Sequence, residues 1–118
     1  MMAPDFPRYH YRGTLARVID GDTADFDVEL GFGVGFRARV RLIGYNAPEL
    51  HGPDPEKGAM AREYLSALLQ TRPCYLATAR DSQSFARYLA VVRIDDAGGL
   101  IDVADLMRAN GFDVPQGG

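Results

Sequence analysis

The chain has one cysteine, two histidines, no excess of positive charge and no long apolar run. The lone cysteine, Cys74, excludes an intramolecular disulfide and a cysteine-based zinc site, and its strand-like surroundings make it a small core residue. His10 and His51 lie in polar segments with no partner at metal-ligand spacing, which argues against a histidine-centred site. The opening MMAPDFPRYHYR contains two prolines and lacks the apolar stretch that a secretory signal or membrane anchor requires, so a soluble cytoplasmic protein is expected. A formal net charge of −3 and a pI near 5.2 exclude a protein held on nucleic acid by charge over its whole surface. Any such contact must be local.

What is present suits one compact domain. The 118 residues are 47% hydrophobic and 25% charged, enough for a single core and too few for two domains. The domain is expected over residues 11–114, with tails at 1–10 and 115–118, and a monomer is expected.

YRGTLARVI, Tyr11 to Ile19, is rich in strand formers, and Asp20-Gly21-Asp22 supplies a turn. The next strand, Ala24 to Leu30, alternates Ala24, Phe26, Val28 and Leu30 with Asp25, Asp27 and Glu29. After the Gly-rich GFGVG, a third run alternates Phe36, Ala38, Val40 and Leu42 with Arg37, Arg39 and Arg41, so the two runs predict a hairpin with an acidic row facing a basic row. Two registers bury the same faces. With Leu30 to Gly35 as the loop, Glu29, Asp27 and Asp25 meet Arg37, Arg39 and Arg41, and every charge is paired. Shifted by two residues, Asp27 meets Arg37 and Asp25 meets Arg39, leaving Arg41 beside Thr23 and close to Asp22.

Asp54-Pro55 is a helix start, with an N-cap and a proline at the first helical position. Ala61, Tyr64, Leu65, Leu68 and Leu69 then form one apolar stripe that packs on the sheet and ends before Pro73. Cys74 to Ala79 and Tyr88 to Ile94 read as two more strands. A turn over Asp95 to Gly99 leads to a short helix beginning at Asp102 and stopped by Gly111. The fold class is therefore mainly β with α, a small five-stranded barrel with two helices.

Hydrolysis of a phosphodiester needs charge neutralisation around phosphorus, a positioned water and a group that directs or deprotonates it. Asp20 and Asp22 flank a glycine in a tight turn, where short carboxylates can converge on a hard cation; the same residues are also ordinary turn formers. Arg41 lies near the end of its strand, and the loop Asn46-Ala47-Pro48-Glu49 follows at a barrel rim. Glu49 is the candidate for directing water, its alternative being a solvated loop acid. Arg87 opens the fifth strand, where a guanidinium can offer paired donors to phosphate oxygens, its alternative being a surface salt bridge.

VIDGDT, VRLIGYNAPE and FARYLAVV, in this order and between these strands, resemble the staphylococcal nuclease (thermonuclease) family over roughly Tyr11 to Phe112. The pairing of DGDT with RLxGxxAPE is the specific part. The resemblance implies an OB-fold barrel and calcium-dependent cleavage of DNA or RNA with little base specificity. By position, Asp22 matches a direct calcium ligand and Asp20 a supporting acid, while Ala47 matches a residue that gives its backbone carbonyl to the metal. Arg41 and Arg87 match the phosphate-binding arginines, and Glu49 matches the catalytic glutamate.

Three departures carry consequences. Asn46 stands where the family has a second metal-binding aspartate. An amide oxygen can coordinate calcium but brings no formal charge, so weaker affinity, or a preference for Mg²⁺ or another divalent ion, is expected. Phe85 replaces a tyrosine, keeping a ring that can stack on substrate and losing a hydroxyl. The family's last helix is expected to be absent. Two functions follow as expectations: a metal-dependent nuclease, or a catalytically inactive OB-fold module that binds single-stranded nucleic acid or a protein partner.

Overall fold

A computed structural model of the protein describes residues 9–80 and 87–114. It is mainly β with two helices. The elements run β1 (Tyr9–Asp20), β2 (Thr23–Gly31), β3 (Val34–Leu42), α1 (Pro55–Leu69), β4 (Cys74–Arg80), β5 (Tyr88–Asp96), β6 (Gly99–Asp102) and α2 (Val103–Ala109). β1 pairs with β2 and β4, β2 with β3, and β4 with β5, all antiparallel; a parallel pairing of β3 with β5 closes the ring. This is the expected five-stranded barrel.

Two boundaries differ from expectation. A sixth strand, β6, hangs on the outer edge of β5, because the turn occupies only Ala97 and Gly98, both at positive φ, and Asp96 already pairs with Gly99. β1 also begins at Tyr9, inside the expected tail, since Tyr9 and His10 pair with Thr78 and Ala77 of β4.

The alternating pattern of β2 and β3 is realised as two faces toward the base of the hairpin, whereas Leu30 and Phe36, nearer its tip, are exposed. Ala24, Phe26, Val28, Ala38, Val40 and Leu42 are buried, and Arg39 grips Asp25 through two hydrogen bonds of 2.8 and 3.1 Å on the outer face. The hairpin adopts the shifted register, with Asp27 opposite Arg37, Asp25 opposite Arg39 and Thr23 opposite Arg41. Its loop is shorter than Leu30 to Gly35. Gly31 pairs with Val34, leaving Phe32 and Gly33 at φ 57° and 75°, the positive values that a tight type I′ connection demands of both central residues.

Asp54 caps α1 by accepting from the Lys57 N–H at 3.1 Å, and Pro55 opens the helix. Ala61, Leu65 and Leu69 on one stripe are fully buried against the barrel. Tyr64 and Leu68 flank them, half-buried. Asp102 caps α2 at the Ala104 N–H, and Gly111, at φ 80°, ends it as the Phe112 N–H returns to the Met107 carbonyl at 2.9 Å. Cys74 is a buried free cysteine whose thiol burial pushes up to about 11, so it is a core residue. Among the described residues, no helix is long and apolar enough to cross a membrane.

Candidate active site

The turn between β1 and β2 is built around Gly21. A side chain there would meet the Cβ atoms of Ala47 and Ala61 at 2.7 and 2.8 Å, so only glycine lets the turn sit between the loop after β3 and helix α1. The buried Tyr45 hydroxyl donates to the Gly21 carbonyl at 2.7 Å, and burial pushes its pKa well up, keeping it a donor. Inside the turn, the Asp22 N–H donates to Asp20 Oδ1 at 3.2 Å.

Asp22 leads into β2, opposite the end of β3. Its carbonyl accepts from the Leu42 N–H at 2.8 Å. Its carboxylate receives the Ala47 N–H at 3.1 Å and the Thr23 hydroxyl at 3.3 Å. Arg41 reaches the same carboxylate at 3.2 Å and the Asn46 amide oxygen at 3.2 Å, while donating to its neighbour's carbonyl, Leu42, at 3.3 Å. The Asp22 carboxyl is pushed up to about 6, chiefly by burial and then by the adjacent Asp20 carboxyl, against the opposing pull of Arg41 and the Ala47 N–H.

Asn46 is tied from behind by the segment after α2. Its N–H donates to Asp113 at 2.8 Å, its carbonyl accepts from the Val114 N–H at 2.7 Å, and its amide nitrogen donates to the Val114 carbonyl at 3.5 Å.

Glu49 is exposed on the same loop, and its carbonyl accepts from the Gly52 N–H at 3.2 Å. Among the described residues, no hydrogen bond or ion pair holds its carboxylate. Its backbone is nevertheless fixed: a side chain on Gly58, in the first turn of α1, would run into the Glu49 carbonyl group, 2.7 Å from its carbon. Helix α1 therefore seats directly on the main chain of Glu49.

Arg87, half-buried, immediately precedes β5. Tyr88 pairs with Val40 and Leu89 with Arg41, so Arg87 lies two positions ahead of the partner of Arg41. Phe85 lies outside the described residues.

The structure thus brings Asp20, Asp22, Arg41, Asn46 and Ala47 together, with Glu49 three residues along the chain from Asn46 and Arg87 just ahead of the neighbouring strand. Among the described residues, no three His, Cys, Asp or Glu side chains converge as a metal-binding group. The donor set expected from the sequence is two carboxylates, one amide oxygen and the Ala47 backbone carbonyl, of which Asp22 and the Asn46 amide oxygen are engaged by Arg41. It fits a hard divalent cation chemically, because all its donors are oxygen, and a buried acid beside a second acid is a site that added positive charge relieves.

Sequence reasoning missed Tyr45, Gly58 and the Asp113–Val114 segment. Gly58 had a signal, since glycine inside a helix costs stability and so points to a close approach. Asp113 had none: it is an acid near the chain end, far in sequence from the loop it holds.

No protein-family model matches the chain, and no curated protein matches it.

Proposed function

We propose that the chain is a nuclease of the staphylococcal nuclease type, hydrolysing phosphodiester bonds of DNA or RNA with little sequence preference, acting in the cytoplasm as a monomer. One observation carries the reading. Arg41 escapes the salt-bridge ladder of its own hairpin and meets Asp22 at 3.2 Å beside the Asn46–Ala47 loop, so cation and acid face each other at the barrel rim.

In this reading Arg41 and Arg87 bind the phosphate and stabilise negative charge as it builds on the non-bridging oxygens. Glu49, fixed in its main chain by α1 and exposed in its side chain, directs and deprotonates the attacking water, and Phe85 contributes a stacking ring. Asp22 with Asp20 in support, the Asn46 amide oxygen and the Ala47 carbonyl would hold a divalent cation, calcium first and magnesium or another ion second. When bound, that ion supplies positive charge at the phosphate and lowers the cost of attack.

A second reading has one observation in its favour. The Arg41 NH2 group is divided between Asp22 and Asn46, as in a structural ion pair. The chain would then be an OB-fold module that binds single-stranded nucleic acid or a protein without cutting.

Degradation of plasmid, single-stranded DNA and RNA by purified protein with Ca²⁺, Mg²⁺ or chelator separates the two. The nuclease reading expects cation-dependent cleavage that falls by at least about 10²-fold in Glu49→Gln. It is lost if no substrate is cut, or if Glu49→Gln cuts as fast as the parent.

A further inference from the structure

Asn46 has two faces, and different parts of the chain hold them. Toward the segment after α2 it makes three hydrogen bonds: N–H to Asp113 at 2.8 Å, carbonyl from the Val114 N–H at 2.7 Å, and Nδ2 to the Val114 carbonyl at 3.5 Å. Toward the site its Oδ1 accepts from Arg41 at 3.2 Å. An asparagine amide has a donor end and an acceptor end, so the partner of one end fixes what the other presents. With Nδ2 on the Val114 carbonyl, Oδ1 is turned to the guanidinium. The opposite flip would set donors against Arg41 and an oxygen against an oxygen.

Arg41 needs such a hold. An arginine has five N–H donors on a long flexible stem, and its own strand fixes only its Cα. Three donor contacts orient it: the Leu42 carbonyl, Asp22 and Asn46. Asp22 itself is a candidate cation ligand. Asn46 is the side-chain contact anchored independently, by a stretch 67 residues further along the chain.

We infer that Asp113 is a positioning residue: acting through Asn46, it fixes the guanidinium of Arg41 in the direction from which it meets the phosphate. Asn46 is then an orienting group for the arginine at a position where the sequence pattern suggested only a cation ligand. This rests on the reading of Arg41 as a phosphate-binding group.

The test uses the full chain, with arginine Nε–H signals followed by ¹⁵N NMR in chelator and the Arg41 signal identified by its loss in Arg41→Lys. Asp113→Ala and Asn46→Ala are each expected to move the Arg41 signal toward the averaged position of exposed arginines. Asp113→Asn, which keeps an acceptor for the Asn46 N–H, restores it. Asn46→Ala keeps both backbone bonds to Asp113 and Val114, so it still reads the contact if Asp113→Ala fails to fold. In cleavage assays both alanine variants are expected to lower kcat about ten- to a hundredfold with a smaller change in KM. An Arg41 signal that stays put in folded Asp113→Ala or Asn46→Ala overturns the inference whether or not the protein cuts. A signal that moves in a protein that cuts nothing leaves the positioning intact and removes the nuclease reading alone.

Discussion

Arg41 and Asp22 meet at 3.2 Å because Arg41 stands opposite Thr23, one residue beyond Asp22, in the register that β2 and β3 adopt. Two residues earlier on the same strand and face, Arg39 is gripped by Asp25, which Arg17 also approaches at 3.4 Å. Arginines two residues apart on one strand therefore have different partners. Arg41→Lys, which loses the planar fork, is expected to lower kcat by about 10²–10³, whereas Arg39→Lys changes it by less than about threefold. Steady-state cleavage rates compare them directly, and equal losses would put Arg41 back in the ladder.

Asn46→Asp adds a charged oxygen to a site that has two carboxylates. It is expected to tighten Ca²⁺ binding by about tenfold or more, since charge count is the main control on calcium affinity. Calorimetry reads this without any substrate. Unchanged or weaker affinity would take residue 46 out of the cation's reach.

Asp22 makes the cation-free protein sensitive to pH in an unusual sense. An unfolded aspartate gives up its proton near pH 3.8, whereas the folded protein keeps this one to about pH 6. Between those values the folded state binds more protons, so stability falls as pH rises through the window. Asp22→Asn removes the buried charge and keeps an acceptor for the Ala47 N–H. It is expected to raise stability at pH 7.5 by on the order of 1–2 kcal/mol, with no gain at pH 4. Denaturant midpoints in chelator at both pH values check it; a variant less stable than the parent at pH 7.5 contradicts it.

Gly58→Ala tests the seat of α1 on the Glu49 main chain. Alanine favours a helix by about 1 kcal/mol over glycine. Here its Cβ would collide with a backbone carbonyl group, which cannot swing away as a side-chain tip can. The expected result is a net loss of about 1–3 kcal/mol in stability together with a lower cleavage rate, as the Glu49 loop is displaced. A more stable protein would show that the loop yields freely.

The barrel was legible because its strands write a period of two into the sequence. The buried row of Phe26, Val28, Ala38, Val40 and Leu42 and the outer row of charges follow from alternation alone. The register was not legible, since both candidates bury the same side chains and pair the same kinds of charge. Local geometry decides it, through the positive φ of Phe32 and Gly33. β6 was hidden for the opposite reason: Asp95-Asp96-Ala97-Gly98-Gly99 reads as one long turn, yet its outer residues can pair. Asp20, Asp22, Arg41 and Ala47, which the fold brings together, were singled out by short motifs. The brace from Asp113 is a contact across most of the chain, and no local pattern encodes it.

The tip of the β2–β3 hairpin lies nine residues from Thr23, roughly 30 Å along an extended strand. A side chain such as valine at Gly33 would resist the positive φ found there and favour a wider loop. The strands could then slip by two residues, with Phe26, Val28, Ala38 and Val40 still facing inward and Asp27 and Glu29 brought opposite Arg39 and Arg37. Arg41 would face Asp25, the rim would lose its guanidinium, and the closing register of β3 with β5 would shift with it. Mutational drift at the tip is thus a route by which descendants of this chain could keep the buried row and lose the Arg41–Asp22 pair.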